Sequence, residues 1–302
     1  MSLLFSFLIL FKAFLCLDIH TPRPAADLSR GQDTALIDAL KTHVRYISES
    51  IGPRSKPASL NRAAAYIETS FKKSGLRVWR QPFNSGSHKY ENVCAFLPGK
   101  GPAWVIGAHY DTVPGSPGAD DNASSLAVLL ELAKSFKPFH EHPLYLVAFA
   151  NEETRQTTQM GSYQFVKQLN TGDTAGMICL EMVGYYNAAP HSQLYPGWLR
   201  YFYPSEGDFT ALIGNPGSFR LLRSVGRQLK TKLKIRSAIL PSFMSDVGRS
   251  DHINFWNAGI PAVLITDTAD YRNFNYHRAT DSWQTLDYKR MALLTRGLSR
   301  LF

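Results

Sequence analysis

Cysteine is almost missing from this chain. Only 3 of the 302 residues are Cys, at positions 16, 94 and 179, and none stands in a C-x-x-C pair. That spacing argues against thiolate ligation of a metal, and Cys94 and Cys179, set in apolar segments, read as buried free thiols. Basic runs are also absent. The net charge is +9, but Lys and Arg are scattered with no run of five, so nucleic-acid binding is not expected. An anionic surface or an acidic substrate stays open. No internal repeat and no low-complexity tract appears. No apolar run reaches the roughly 18 residues that a membrane span needs. The run Leu3–Leu17, broken only by Ser6 and Lys12, has the length of a signal-peptide core. It predicts export to the periplasm or beyond, with an uncleaved anchor, and hence a membrane tether through residues 1–17, as the alternative. Leu15 before Cys16 does not suit lipid attachment, which wants a small residue there.

What the chain does have is alternation. Residues 18–32 are polar with Pro and read as a linker, and the main domain is expected over 33–302. A helix from Asp33 is ended by Gly52-Pro53, and a second, with Ser59 as its cap, is stopped by Gly75. LRVWRQPF, YENVCAFLP and AWVIGAHY read as strands. DNASSLAVLLELAKSF carries an apolar stripe at 126, 129, 130 and 133, as a helix does. HPLYLVAFA, GMICLEMV and IPAVLIT read as strands, with a helix near 217–232 and a last one from about Thr285. Short continuous apolar strands between helices predict one α/β domain: a mostly parallel, mixed central sheet flanked by helices on both faces.

The chemistry-bearing residues sit where such a fold gathers its sites, at the carboxyl ends of strands. His109 ends one strand, Glu152 and Glu153 follow another, Glu181 closes a third, and His277 lies in the loop after a fourth. His109 and Asp111 share a face if the strand continues. Asp120-Asp121-Asn122 opens a helix; one aspartate is enough to cap it, so the second invites another role. An acid inside MICLEMVGY needs a partner, and a cation among these groups would supply it.

The ordered set His-x-Asp, Gly-Ala-Asp-Asp-Asn, Asn-Glu-Glu, Leu-Glu-Met-Val-Gly-Tyr, Ser-Asp-His with Gly-Ile-Pro-Ala, and Tyr-His with a following Asp resembles the co-catalytic zinc peptidases of clan MH. That family holds secreted bacterial aminopeptidases, glutamate carboxypeptidases and glutaminyl cyclases. The match runs from about residue 35 to 302. The resemblance implies two Zn2+ per chain, one held by His109 and Glu181, the other by Glu153 and His277, with Asp121 bridging. Glu152 is then the general base and Asp111 the support of His109. Tyr276, directly before His277, reads either as a substrate-binding donor to the developing oxyanion or as a packed aromatic. Two imidazoles and no thiolates suit zinc. A non-proline cis bond is implied between Asp121 and Asn122. Glu181 stands where many secreted members have Asp, and the loop between Glu153 and Gly161 is longer than in short-loop aminopeptidases.

The activity implied is metal-dependent exopeptidase action on a peptide substrate: an aminopeptidase that hydrolyses N-terminal peptide bonds with a di-zinc-activated water, working as a monomer. The alternatives are a glutaminyl-peptide cyclotransferase, in which an indole commonly stands where this chain has Tyr276, and a non-catalytic binding protein on the same scaffold.

Overall fold

Four apolar segments form the middle of an eight-stranded sheet, and their burial on both faces is why they read as nearly unbroken apolar runs. The strands are β1 (Arg77–Ser85), β2 (His88–Leu97), β3 (Ala103–His109), β4 (Leu144–Phe149), β5 (Thr174–Glu181), β6 (Thr210–Gly214), β7 (Ile235–Ile239) and β8 (Ala262–Thr266). Their order across the sheet is β1-β2-β4-β3-β5-β8-β6-β7. β4, β3, β5 and β8 run parallel. β1 and β2 are antiparallel at one edge, and the β6–β7 pair is parallel within itself but antiparallel to β8. This computed structural model describes residues 31–136, 141–242, 244 and 246–301; the expected leader, Cys16 and the linker up to residue 30 lie outside them.

Alternate side chains of the central strands feed two cores. Ile106, Ala108, Ile178 and Leu180 join the larger one. It is built with α1 (Gly31–Arg45), α2 (Pro57–Lys73), α3 (Ser125–Ser135), α5 (Phe219–Leu229) and α7 (Tyr288–Leu298). Val105, Val147, Met177 and Cys179 point the other way, against α4 (Gly161–Val166) and α6 (His252–Asn257). Cys94 and Cys179 are free and buried, as expected. Among the described residues, no helix is long and apolar enough to cross a membrane.

Several details depart from the sequence reading. α1 starts at Gly31, two residues before Asp33, and ends in a wider turn over Tyr46–Ile51. α2 starts at Pro57, because proline's fixed φ suits the first turn; Lys56 is its cap, and Ser59 closes a capping box from inside the helix. α3 is not amphipathic: every residue from Ser125 to Ala133 is buried, since α1, α2 and α7 roof it over. β6 and β7 have no counterpart in the sequence reading. Each is only five residues long and sits in a polar region, too short for a period-2 signal.

His252, in α6, gives the fold a pH signature. Its Nε2 donates to the Val247 carbonyl at 2.7 Å, Nδ1 has no hydrogen-bond partner among the described residues, and burial pushes the imidazole down from 6.5 to about 4. The unfolded chain therefore takes up a proton that the folded chain refuses as pH falls below 6.5, so stability is full above that value and declines toward pH 4. The expected loss is about 3 kcal/mol from this one group. Urea unfolding across that range should show a steeper decline for the parent than for His252→Gln; parallel curves would show that His252 is not the source.

Candidate functional site

The carboxyl ends of β3, β4 and β5 place His109, the Glu152-Glu153 turn and Glu181 along one edge of the sheet. His109 and Glu181 are the last residues of their strands. Asp121 reaches the same edge from an irregular turn over residues 119–124, in which the Asp121–Asn122 peptide is cis, as the resemblance implied. His277 arrives from the loop after β8 with a left-handed φ of 59°.

These side chains converge. His109 Nε2 lies 3.2 Å from Asp121 Oδ1 and 3.3 Å from Glu181 Oε2. His277 Nε2 lies 3.1 Å from Asp121 Oδ2 and 3.2 Å from Glu153 Oε2. Asp121 thus presents one oxygen to each imidazole. Donor atoms of His109, Glu152 and Glu181 lie within 4.8 Å of one another, and so do those of Asp121, Glu153 and His277. Glu152 is the outlying member of its trio, 4.0 Å from His109 Nε2. Ser250 Oγ donates to Glu181 Oε2 at 2.7 Å and fixes that longer carboxylate.

Electrostatics show what the cluster lacks. Burial, reinforced by the Glu181 and Glu153 carboxylates, pushes the Glu152 carboxyl well up. Burial and Asp121 raise Glu153 to about 7. Burial opposes the rise of His277 to about 9, which the neighbouring Asp121 and Glu153 carboxylates drive, and His109 is likewise carried up by Glu181 and Glu152 against its burial. Asp121 moves the other way and is held ionised against its burial by His109 and His277; carboxylates packed this closely away from water keep their charge only with positive charge beside them. Two buried donor atoms, Glu153 Oε1 and His277 Nε2, have no hydrogen-bond partner. Imidazole and carboxylate donors without thiolates, with orphaned atoms pointing inward, fit divalent zinc.

The supporting residues answer why two aspartates stand together at 120 and 121. Neither caps α3. Asp120 is fully buried, accepts from Gly184 N at 3.0 Å and from Asn273 Nδ2 at 2.7 Å, and so ties the turn to its neighbours. Asn122 bridges to β5 and beyond through Leu180 O and Met182 N. Asp281 accepts from the backbone N–H groups of Asp120 and Asp121, at 2.9 and 3.1 Å. Asp111 stands beside His109 and also holds the neighbouring turn. Its carbonyl lies 3.2 Å from His109 Nδ1, while its carboxylate, 3.6 Å from that nitrogen, accepts from Glu152 N and Glu153 N at 3.1 and 3.0 Å.

Sequence reasoning missed Arg54. It is fully buried, and its guanidinium donates to the carbonyls of Tyr110 and Gly118, both at 2.8 Å, and to that of Pro117. It therefore clamps both ends of the loop carrying Asp111. Gly118 makes room for it: φ is +59°, and a Cβ there would meet Arg54 Nη2 at 2.6 Å and Asp121 O at 2.2 Å. A guanidinium that pairs with carbonyls leaves no sequence pattern. Arg54→Met should cost about 3–5 kcal/mol by orphaning those carbonyls and should weaken metal retention, read by denaturant unfolding and metal titration. Wild-type stability in that variant would mean that the loop holds itself.

Tyr276 stacks on His277 with ring centroids 3.7 Å apart. Its Oη accepts from Arg155 Nη2 at 2.6 Å and Arg249 Nη2 at 3.2 Å. Beside these residues opens a cleft walled by apolar side chains such as Leu199, Tyr203, Phe209, Leu240 and Met244. The arginines had no signal in the sequence beyond their neighbourhood to motifs.

The model of the family described as Peptidase family M28 matches residues 92–301. The uncharacterized protein YfbL of Escherichia coli K12 is 37% identical over 320 residues, covering 99% of this chain and 98% of its own. The zinc aminopeptidase BSAP of Bacillus subtilis superposes with a TM-score of 0.68 at 17% identity, over 87% of this chain and 94% of its own. Glutaminyl cyclase of Porphyromonas gingivalis does so at 0.67 and 19% identity, over 91% and 98%.

Proposed function

This chain belongs to peptidase family M28, and from that footing we propose that it is a zinc-dependent aminopeptidase acting on peptides with a free N-terminus. One observation carries the reading: Asp121 offers an oxygen to each of two imidazoles, His109 and His277, with Glu152 next to the cluster and not among its nearest contacts. His109, Glu181 and Asp121 would hold one zinc, and Glu153, His277 and Asp121 a second. When bound, such a pair activates a water and polarises a carbonyl.

The protein's own groups do the rest. Glu152, whose proton affinity burial raises, takes the proton of the attacking water and hands it to the leaving amine. Asp111 holds the Glu152-Glu153 turn by its backbone amides, so the base keeps its aim. Tyr276, both of whose oxygen lone pairs are engaged by guanidinium donors, has its O–H left to give to the developing oxyanion. The apolar cleft walls take the side chain of the first residue and exclude water. We propose further that the protein is exported, on the strength of the apolar Leu3–Leu17 run.

A panel of aminoacyl peptides, their N-acetylated forms and N-terminal glutaminyl peptides separates the readings. Hydrolysis of the free peptides, abolished by chelator and restored by zinc, is the expected result. Ring closure of glutaminyl peptides without hydrolysis of the others would make the protein a cyclase, the activity of its Porphyromonas neighbour.

A further inference from the structure

The two arginines on Tyr276 are not equivalent. Arg249 is compensated by Asp270, 3.1 Å from its Nη1. Among the described residues the Arg155 side chain makes one hydrogen bond, to Tyr276 Oη at 2.6 Å, and no ion pair. It is exposed and lines the same cleft as Glu152 and Glu153, in a loop where its own φ is 52°. One positive charge therefore stands in the cleft with no ion-pair partner among the described residues, beside an apolar wall.

Its position relative to the reaction follows from Tyr276. If Tyr276 Oη donates to the scissile oxygen at about 2.7 Å, the Arg155 nitrogen on the other side of that same Oη lies within about 6 Å of the scissile oxygen. Consecutive Cα atoms are about 3.8 Å apart. A group on the residue directly after the scissile bond falls within that reach, whereas one on a later residue in an extended peptide passes beyond it. A carboxylate is the group that a guanidinium with free N–H donors recognises best.

We propose that Arg155 makes this site selective for substrates with a carboxylate on the residue that leaves, dipeptides above all, whose own terminal carboxylate falls there. The inference rests on the aminopeptidase reading and narrows it from peptides at large to very short ones. The α-carboxylate of a dipeptide and the side chain of an Asp at that position share the chemistry.

The test compares kcat/KM of the zinc-loaded protein on Leu-Ala, Leu-Ala amide, Leu-Asp amide and Leu-Ala-Ala, for the parent and for Arg155→Gln. The parent should prefer Leu-Ala to its amide by roughly ten- to a hundredfold, as charge-assisted hydrogen bonds imply, and Leu-Ala-Ala should rank with the amide. In Arg155→Gln all rates fall through lost support of Tyr276, but the acid-to-amide ratio should drop to within about threefold of one; Arg155→Lys should restore part of it. Leu-Asp amide matching Leu-Ala would extend the selectivity to side-chain carboxylates; matching Leu-Ala amide would confine it to the terminal one. Equal parent rates on Leu-Ala and its amide, or a ratio unmoved by Arg155→Gln, would overturn the inference and leave the aminopeptidase reading standing. Hydrolysis of none of the four would overturn both.

Discussion

Glu152→Gln should lose nearly all turnover and keep its metal. A general base contributes about 10²–10⁴-fold, and glutamine preserves the size of the side chain while removing its proton affinity. Glu152 lies 4.0 Å from His109 Nε2, against 3.2 Å for Asp121 and 3.3 Å for Glu181, so metal content should stay at the parent value. The backbone amides of Glu152 and Glu153, held by Asp111, are untouched by the change. Elemental analysis beside kcat decides the matter: if metal disappears with activity, Glu152 is a ligand and the division of labour among the acids is different.

The opposite pattern should follow from His277→Ala. This imidazole faces Asp121 and Glu153, and its buried Nε2 has no hydrogen bond. Its removal therefore costs the metal much. Binding at that position should weaken by at least about a hundredfold, more than the ten- to hundredfold that loss of a supporting residue costs. His109→Ala should weaken the other position, and there stability should suffer too, because His109 is fully buried. Retention of two ions by both variants would remove the two-metal reading.

The residues that bear chemistry were visible in the sequence because polar groups at the ends of long apolar strands have few structural reasons to be there. His109, Glu152, Glu153 and Glu181 follow that logic, and the sheet brings them to one edge. The helix start at Pro57 was misjudged for a physical reason: Ser59 looks like a cap because it does make a capping bond, but from the third position inside. β6 and β7 were illegible because five-residue strands against polar loops carry too little pattern. Asp111 shows a subtler limit. Spacing places it beside His109, yet only the three-dimensional turn reveals that its carboxylate serves the neighbouring acids. Arg54 and Arg155 were silent because their partners are main-chain carbonyls and a phenol oxygen, neither of which leaves a mark in composition.

The grip of Asp281 on the amides of Asp120 and Asp121 joins positions about 160 apart along the chain. During synthesis, residues 109 to 181 emerge from the ribosome long before that carboxylate exists. Until it arrives, the turn carrying Asp121 lacks two of the bonds that hold it, those to its own backbone amides. A half-made chain thus holds His109, Asp121, Glu152, Glu153 and Glu181 before His277 and Asp281, which complete and brace the cluster, have been made.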